Sequence, residues 1–407
     1  MESAYVSHEL RRSRAILLAV AVSSWGVPTE AADGFFRGLG FLLGGEYRSS
    51  RPFDISGDGT VVVGQSRSHI GEEAFRWTRA TGMTGLGTLG FKEEQEPYSV
   101  AFGVSADGAV VVGGSSSPHS DGDRGEAFRW SEATGMVGLG DLPGGLRGSG
   151  AVSVSSDGSV VTGGSASSLS PNFSEAFIWT QKAGLVGLGV FPSVSSPFTI
   201  ASRVSADGMI VVGHARTSNG REAFRWTESS GLIALGDLPG PPFESFARSI
   251  SADGTAIVGL GINDGSTAFR WTEEGGMVDL GRPPGGYCSS AWDTSADGAI
   301  VVGDACVAGE VVPAIWDEIH GMRNLEDVFA QLGFAPLLEG WNLEEATGIS
   351  DDGTTVVGWG YHFGEMEGWI ARLELAGVVE VPATSDWSLA LLAALLVASA
   401  LVTLRPR

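Results

Sequence analysis

An Asp-Gly pair returns at Asp58, Asp107, Asp157, Asp207, Asp253, Asp297 and Asp352, with spacings of 49, 50, 50, 46, 44 and 55 residues. Around each pair the order of residues is nearly constant. Val104 to Gly145 reads Ser-Ala-Asp-Gly, Val-Val-Gly, a free stretch, Phe-Arg-Trp and Leu-Gly-Asp-Leu-Pro-Gly, and Val204 to Gly240 restates it. A unit this short cannot bury its own apolar face, so neighbours must stack. The period suits a four-stranded propeller blade; solenoid coils usually need fewer residues.

Each unit divides into four strands, here a to d. In the second unit strand a ends at Val104-Ser105, b is AVVVGG, c is EAFRWS and d is GMVGLG. Ala106-Asp107-Gly108 fits a type I turn closed by a left-handed glycine, with Asp bonding local backbone. The seven aspartates are therefore turn residues rather than metal ligands or catalytic acids. In strand c, period two places Phe128 and Trp130 on one face and Arg129 on the other, a pair suited to filling the gap between blades. The expected fold is all-β: a seven-bladed propeller over 33–374, flanked by a signal peptide at 1–32 and a linker, sorting motif and transmembrane tail at 375–407.

The seventh unit runs into that tail without a fourth strand. Gly34 to Gly40 (GFFRGLG) has strand-d character and precedes the first strand a, so it is expected to pair beside Ile370 to Leu373 and close the ring. Leu325, Val328, Phe329 and Leu332 are spaced for one short amphipathic helix. Cys288 and Cys306, the only cysteines, count to opposite positions across the Ala296-Asp297-Gly298 turn and are expected to form a disulfide.

The units resemble the HAF-family extracellular repeats, named for a His-Ala-Phe in the third strand. Here Glu73, Glu126, Glu175, Glu222 and Glu367, and Thr267 in the fifth unit, stand where that His would be, so no role of the His is carried over. The resemblance implies an exported, propeller-like repeat protein.

Both ends agree with export. Arg11, Arg12 and Arg14 precede an apolar block, Ala15 to Val22, too short to span a bilayer, with Thr29 and Ala31 fitting a cleavage site. Trp387 to Leu404 carries no charge and is followed by Arg405 and Arg407, which places the tail in the cytoplasm and the body outside. Val381, Pro382, Ser385, Asp386 and Trp387 resemble the PEP-CTERM and IPTL-CTERM sorting tails, which implies processing by an envelope sortase. The expected location is the cell envelope, its surface, or the extracellular space after processing.

A net charge of −23 argues against nucleic acid as a partner. No Gly-x-Ser-x-Gly, His-Glu-x-x-His, phosphate loop or Cys-x-x-Cys occurs, and no catalytic residue or metal ligand is assigned. No cofactor is expected; calcium is the one ion left open, at Asp121 and Asp123.

Because strands alternate, b–c and d–a connections emerge at one end of the ring, and that end varies between units. The b–c candidates for binding are His69, His119, Asp121, Asp123, Arg124, His214, Arg216, Asn263, Asp264, Tyr361 and His362, with Arg147 and Phe243 from d–a connections. The expected function is a binding or scaffold module for a glycan or protein at the bacterial surface. A propeller-type glycan hydrolase or lyase is the alternative, and a pair of carboxylates beside an aromatic platform would favour it.

Overall fold

The computed structural model describes residues 34–373, apart from 94–95, 122–123, 172–173, 193 and 264. The expected leader, sorting motif and transmembrane tail lie outside the described residues, as do Asp123 and Asp264. Within them the chain forms seven four-stranded antiparallel sheets. Six follow chain order; the seventh has the order Phe35–Gly38, Glu365–Arg372, Thr355–His362, Trp341–Ile349. Strand a of every blade touches strand a of the next, the seventh touching the first, so the seven inner strands surround an axis.

Each Asp-Gly turn is built alike. In blade two Ser105 Oγ donates to Asp107 Oδ1 (2.7 Å) and accepts from the Val110 amide (2.9 Å), while Asp107 Oδ1 accepts from the Ala109 amide (3.0 Å). Its glycine, Gly108, has φ +69°, which a side chain would disfavour. The Phe-Arg-Trp arginines reach the following unit's turn: Arg76, Arg129 and Arg270 donate to the carbonyls of Gly108, Gly158 and Gly298. Phe75, Phe128, Phe177, Phe224 and Phe269 are fully buried in clusters that straddle adjacent blades. Trp77 is buried within its cluster, while Trp130, Trp179, Trp226 and Trp271 pack at the edges of theirs.

A second device joins the blades. Ser99 Oγ, at the start of strand a of blade two, accepts from the Ala74 amide (2.9 Å) and donates to the Gly87 carbonyl (2.6 Å) of blade one. Ser149, Thr199, Ser245 and Ser289 repeat both bonds at later junctions. Ser50 makes the pair to Gly368 and Gly40, which identifies Gly40 as the strand-d glycine of blade seven. The glutamates in the His position act here too. Glu73, Glu175 and Glu367 accept from the amides of Gly87 (2.9 Å), Gly189 (2.9 Å) and Gly40 (3.0 Å), and are structural anchors.

Ring closure follows the expected pairing: Phe35, Phe36, Arg37 and Gly38 lie opposite Arg372, Ala371, Ile370 and Trp369. Phe36 packs against Phe329, Trp341 and Trp369, with centroids 5.5 to 5.9 Å apart. The short helix is Leu325–Gln331, capped by Asn324 and burying Leu325, Val328 and Phe329 against the last two blades. Cys288 and Cys306 are bonded. The loop between their strands differs from the expected three residues. Thr294 pairs with Val301 and the Ser295 amide donates to the Ile300 carbonyl, so four residues turn, and a bulge between Ala291 and Asp293 restores the register that brings the cysteines opposite each other.

Phe36→Ala removes the ring that seats the closing strand. It should lower unfolding stability by about 3–5 kcal/mol, read from the urea midpoint. A loss below about 1 kcal/mol would show that this strand is not integral to the ring.

Candidate functional site at the axis

Counting back from each turn Asp, strand a alternates between constant and variable positions. Six residues before it stand Pro52, Ala101, Ala151, Ala201, Ala247, Ala291 and Ala346; three before it stand Ile55, Val104, Val154, Val204, Ile250, Thr294 and Ile349. Seven before it the residues are Arg51, Val100, Gly150, Ile200, Phe246, Ser290 and Glu345. Five before it they are Phe53, Phe102, Val152, Ser202, Arg248, Trp292 and Thr347. The constant positions are buried between blades and the variable ones are largely half-exposed toward the axis.

A bulge in every blade produces this outward turn. The register of strands a and b shifts across the fifth position in all seven, between Pro52 and Asp54 through to between Ala346 and Gly348. An extra residue on one strand bends it and re-aims its side chains. The glycine of each Val-Val-Gly lies opposite. A Cβ on Gly213 would fall 2.0 Å from the Ile200 carbonyl oxygen, and on Gly113 1.9 Å from that of Val100. Close backbone approach, rather than a left-handed turn, requires these glycines.

Four residues before the Asp, the bulge seats a charged plug across the ring. Arg203 of blade four bonds Asp54 of blade one and Asp293 of blade six, each at 2.9 Å. Asp54 also accepts from the Val104 amide, and Asp293 from Ser249 Oγ and the Ile349 amide. Burial raises the Asp54 carboxyl to about 6 against the opposing pull of Arg203. Burial works against the Arg203 charge, but Asp293 and Asp54 outweigh it and hold the guanidinium protonated. On the Asp-Gly side this plug lies at the base of a cavity of about 70 Å³, walled by small residues such as Ala106, Ser156 and Ala206. Its charges are paired internally, so it stabilises the axis and offers little to a ligand.

The other mouth is chemically richer. Arg51 pairs with Glu345 (2.8 Å) and lies over Trp359 (4.7 Å), whose Nε1 donates to Glu345 (2.8 Å). Arg248 lies over Trp292 at 4.5 Å, and Trp292 Nε1 donates to Asp304 (2.5 Å). Phe53 and Phe102 pack at 5.2 Å and His214 against Phe246 at 4.9 Å. Blades two and three leave the mouth open: a Cβ on Gly114 or Gly150 meets nothing within 4 Å. Burial lifts Asp304 to about 6, with Glu345 adding to the rise, and lowers His214 to about 4, with Arg248 and Arg221 adding to the fall.

The residues expected in variable connections divide. His69, His119 and Arg124 are exposed in b–c connections, and Asp121 accepts from the Arg147 amide (2.8 Å). Arg147 lies not in a d–a connection but in strand a of blade three, Gly144–Val154, which begins earlier than its apolar core suggests. His214 and Arg216 are instead in strand Val211–Arg216, and Tyr361 and His362 in strand Thr355–His362; these strands extend further than the Val-Val-Gly core suggested. His362 bonds Glu367 (2.7 Å) and stacks on Trp341 (4.4 Å), a structural contact. Asn263 follows strand Ala256–Ile262, and Phe243 is exposed beside strand Glu244–Ile250. Of these, His214 packs against Phe246 and Tyr361 against Trp359 (6.1 Å) at the axial mouth. The axial residues carry no motif; their signal is that they vary inside an otherwise constant strand. Among the described residues no group of three His, Cys, Asp or Glu is placed to hold a metal ion.

No family model and no curated protein matches the chain. Among solved structures it is similar to an oligogalacturonate lyase from Vibrio parahaemolyticus (TM-score 0.48, 10% identity, covering 84% of this chain and 91% of that one). It is also similar to an oligogalacturonate lyase in complex with manganese (0.49, 12%, 84% and 91%) and to TolB from Acinetobacter baumannii (0.42, 12%, 68% and 65%). At these values the likeness transfers no activity, ligand or metal to this chain.

The pH dependence of Asp304 is testable. Between about pH 4 and 6 the folded carboxyl keeps a proton that the unfolded chain has lost, so stability falls as pH rises through that window. Turn aspartates act oppositely: hydrogen bonds led by the preceding serine lower Asp107, Asp157, Asp207 and Asp253, so their contribution is present above about pH 4 and is lost on acidification below it. Asp304→Asn should therefore gain stability relative to the parent on going from pH 4 to 7, on the order of 2 kcal/mol, by urea unfolding. Parallel pH profiles would contradict the assignment.

Proposed function

We propose that this chain is an exported binding module of a bacterial envelope, with its ligand seat in the axial mouth on the side of the b–c connections. The observation that carries this reading is the placement of variation. Repeated residues hold the blades together, while the channel-facing positions differ from blade to blade and concentrate Arg51, Phe246, Arg248, Trp292 and Glu345 at one opening. A rigid scaffold with dissimilar side chains converging on a concave opening is the usual form of a recognition site. The apolar leader, the uncharged Trp387 to Leu404 stretch and its terminal arginines support export and anchoring, with an envelope sortase as the partner that processes the tail. The ligand is then a glycan or protein at the cell surface or in its matrix.

One observation favours a second reading, a glycan-active hydrolase or lyase. Asp304 holds its proton to about pH 6 beside Trp292, and the nearby Glu345 is ion-paired with Arg51. A protonated acid near an ionised carboxylate is a pattern that acid–base chemistry uses.

Gly150→Trp tests the seat without altering charge. A Cβ at Gly150 meets nothing within 4 Å, so the added side chain starts into the mouth, and the variant should fold like the parent and lose at least tenfold in affinity for ligands captured on a glycan array by the full-length chain. Unchanged capture by a folded Gly150→Trp protein would move the site elsewhere. Product release from a captured glycan, abolished in Asp304→Asn, would establish the second reading over the first.

A further inference from the structure

We propose that the axial mouth takes a monoanionic ligand through a carboxylate carried on a flat ring, with Arg248 as its charge partner. This rests on the mouth being the recognition site and assigns its chemistry.

Arg248 is held in place yet has no anionic partner. Its guanidinium lies 4.5 Å from the Trp292 centroid, its Nε is buried without a hydrogen bond, and it makes no hydrogen bond or ion pair among the described residues. Two carboxylates influence its charge from blades six and seven, and both are engaged elsewhere: Asp304 by Trp292 Nε1, and Glu345 by Arg51 and Trp359. His214 on the adjoining blade is neutral above about pH 4 and carries a buried, unbonded Nδ1. The wall therefore presents one desolvated cation that no carboxylate among the described residues hydrogen-bonds or ion-pairs. A half-buried cation in this condition is costly, and an incoming anion offsets the cost.

The surroundings select the anion. One free guanidinium facing Asp304 and Glu345 suits a single negative charge, because a dianionic phosphate would meet two carboxylates with only one unpaired cation to hold it. The planar fork of arginine matches a planar carboxylate. Trp292, Phe246, Phe53 and Phe102 supply flat apolar surface around the same opening, while Gly114 and Gly150 leave space opposite. A ring that bears a carboxylate fits both features, and a neutral ring of the same shape forfeits the first.

The test uses the full-length chain at pH 7, with benzoate, its uncharged isostere benzamide and inorganic phosphate as probes, read by saturation-transfer NMR titration. Benzoate should bind at least tenfold more tightly than benzamide and than phosphate, the size expected for a hydrogen-bonded charge. Arg248→Ala should abolish that preference, and Arg248→Lys should lose about fivefold because the fork is gone. Near-ultraviolet circular dichroism and thermal unfolding report whether each variant is folded; should Arg248→Ala not fold, the lysine variant decides. Equal binding of benzoate and benzamide, both blocked by Gly150→Trp, would leave recognition in the mouth standing and overturn the charge assignment. A benzoate preference that persists in folded Arg248→Ala, or phosphate binding as tightly as benzoate, would also overturn it. Absence of binding by all three probes at 50 mM, on the order of the weakest affinities such fragments show, would overturn both the assignment and the mouth as a site for small ligands.

Discussion

The contact on which this architecture turns is between two stretches of backbone. In each blade the Val-Val-Gly glycine lies against the strand a carbonyl just before the bulge, close enough that any side chain would collide with it. The contact lets strand a bend, and the bend points the variable residues toward the axis while the alanine between them stays in the interblade core. A propeller could close without it. The axial mouth would then be lined by whatever the straight pleat presented.

Division of labour along strand a follows. Serine or threonine at its start bonds the preceding blade, alanine and valine fill the core, and the Asp-Gly turn ends it with a local hydrogen-bond set. Those tasks are the same in nearly every blade, so the residues recur. The three remaining positions have no such task. One set seats Asp54, Arg203 and Asp293, whose ion pairs join blades one, four and six across the ring. The other two present arginines, aromatics and an acid to the opposite mouth. Blade seven departs where it must: Leu343 and the Leu325–Gln331 helix replace the serine junction with apolar packing, next to the strand that closes the ring.

Much of this was legible in the sequence because it repeats. The period, the turn aspartates, the Phe and Trp pair and the closing strand each follow from residue order and strand alternation, whereas the cysteines meet because a longer turn and the bulge offset each other. The candidate site was less legible. The b–c connections look like the variable surface, but His214, Arg216, Tyr361 and His362 belong to strands that run beyond their apolar core. Arg51, Arg248, Trp292, Asp304 and Glu345 sit in strands read as core, and no motif marks them. Their position depends on the bulge, which adds a residue without changing composition and so leaves only a trace: variable columns between constant ones.

The most direct measurement is the urea unfolding free energy of Gly213→Ala compared with Gly114→Ala. The first places a methyl 2.0 Å from the Ile200 carbonyl, and the second places one in open space. If the bulge contact is a steric requirement, Gly213→Ala loses about 3 kcal/mol or more, while Gly114→Ala stays within about 0.5 kcal/mol or gains slightly from the reduced entropy of its unfolded chain. Equal stability in the two variants would contradict the account, because the Val-Val-Gly glycine would then not be what allows strand a to turn its side chains to the axis.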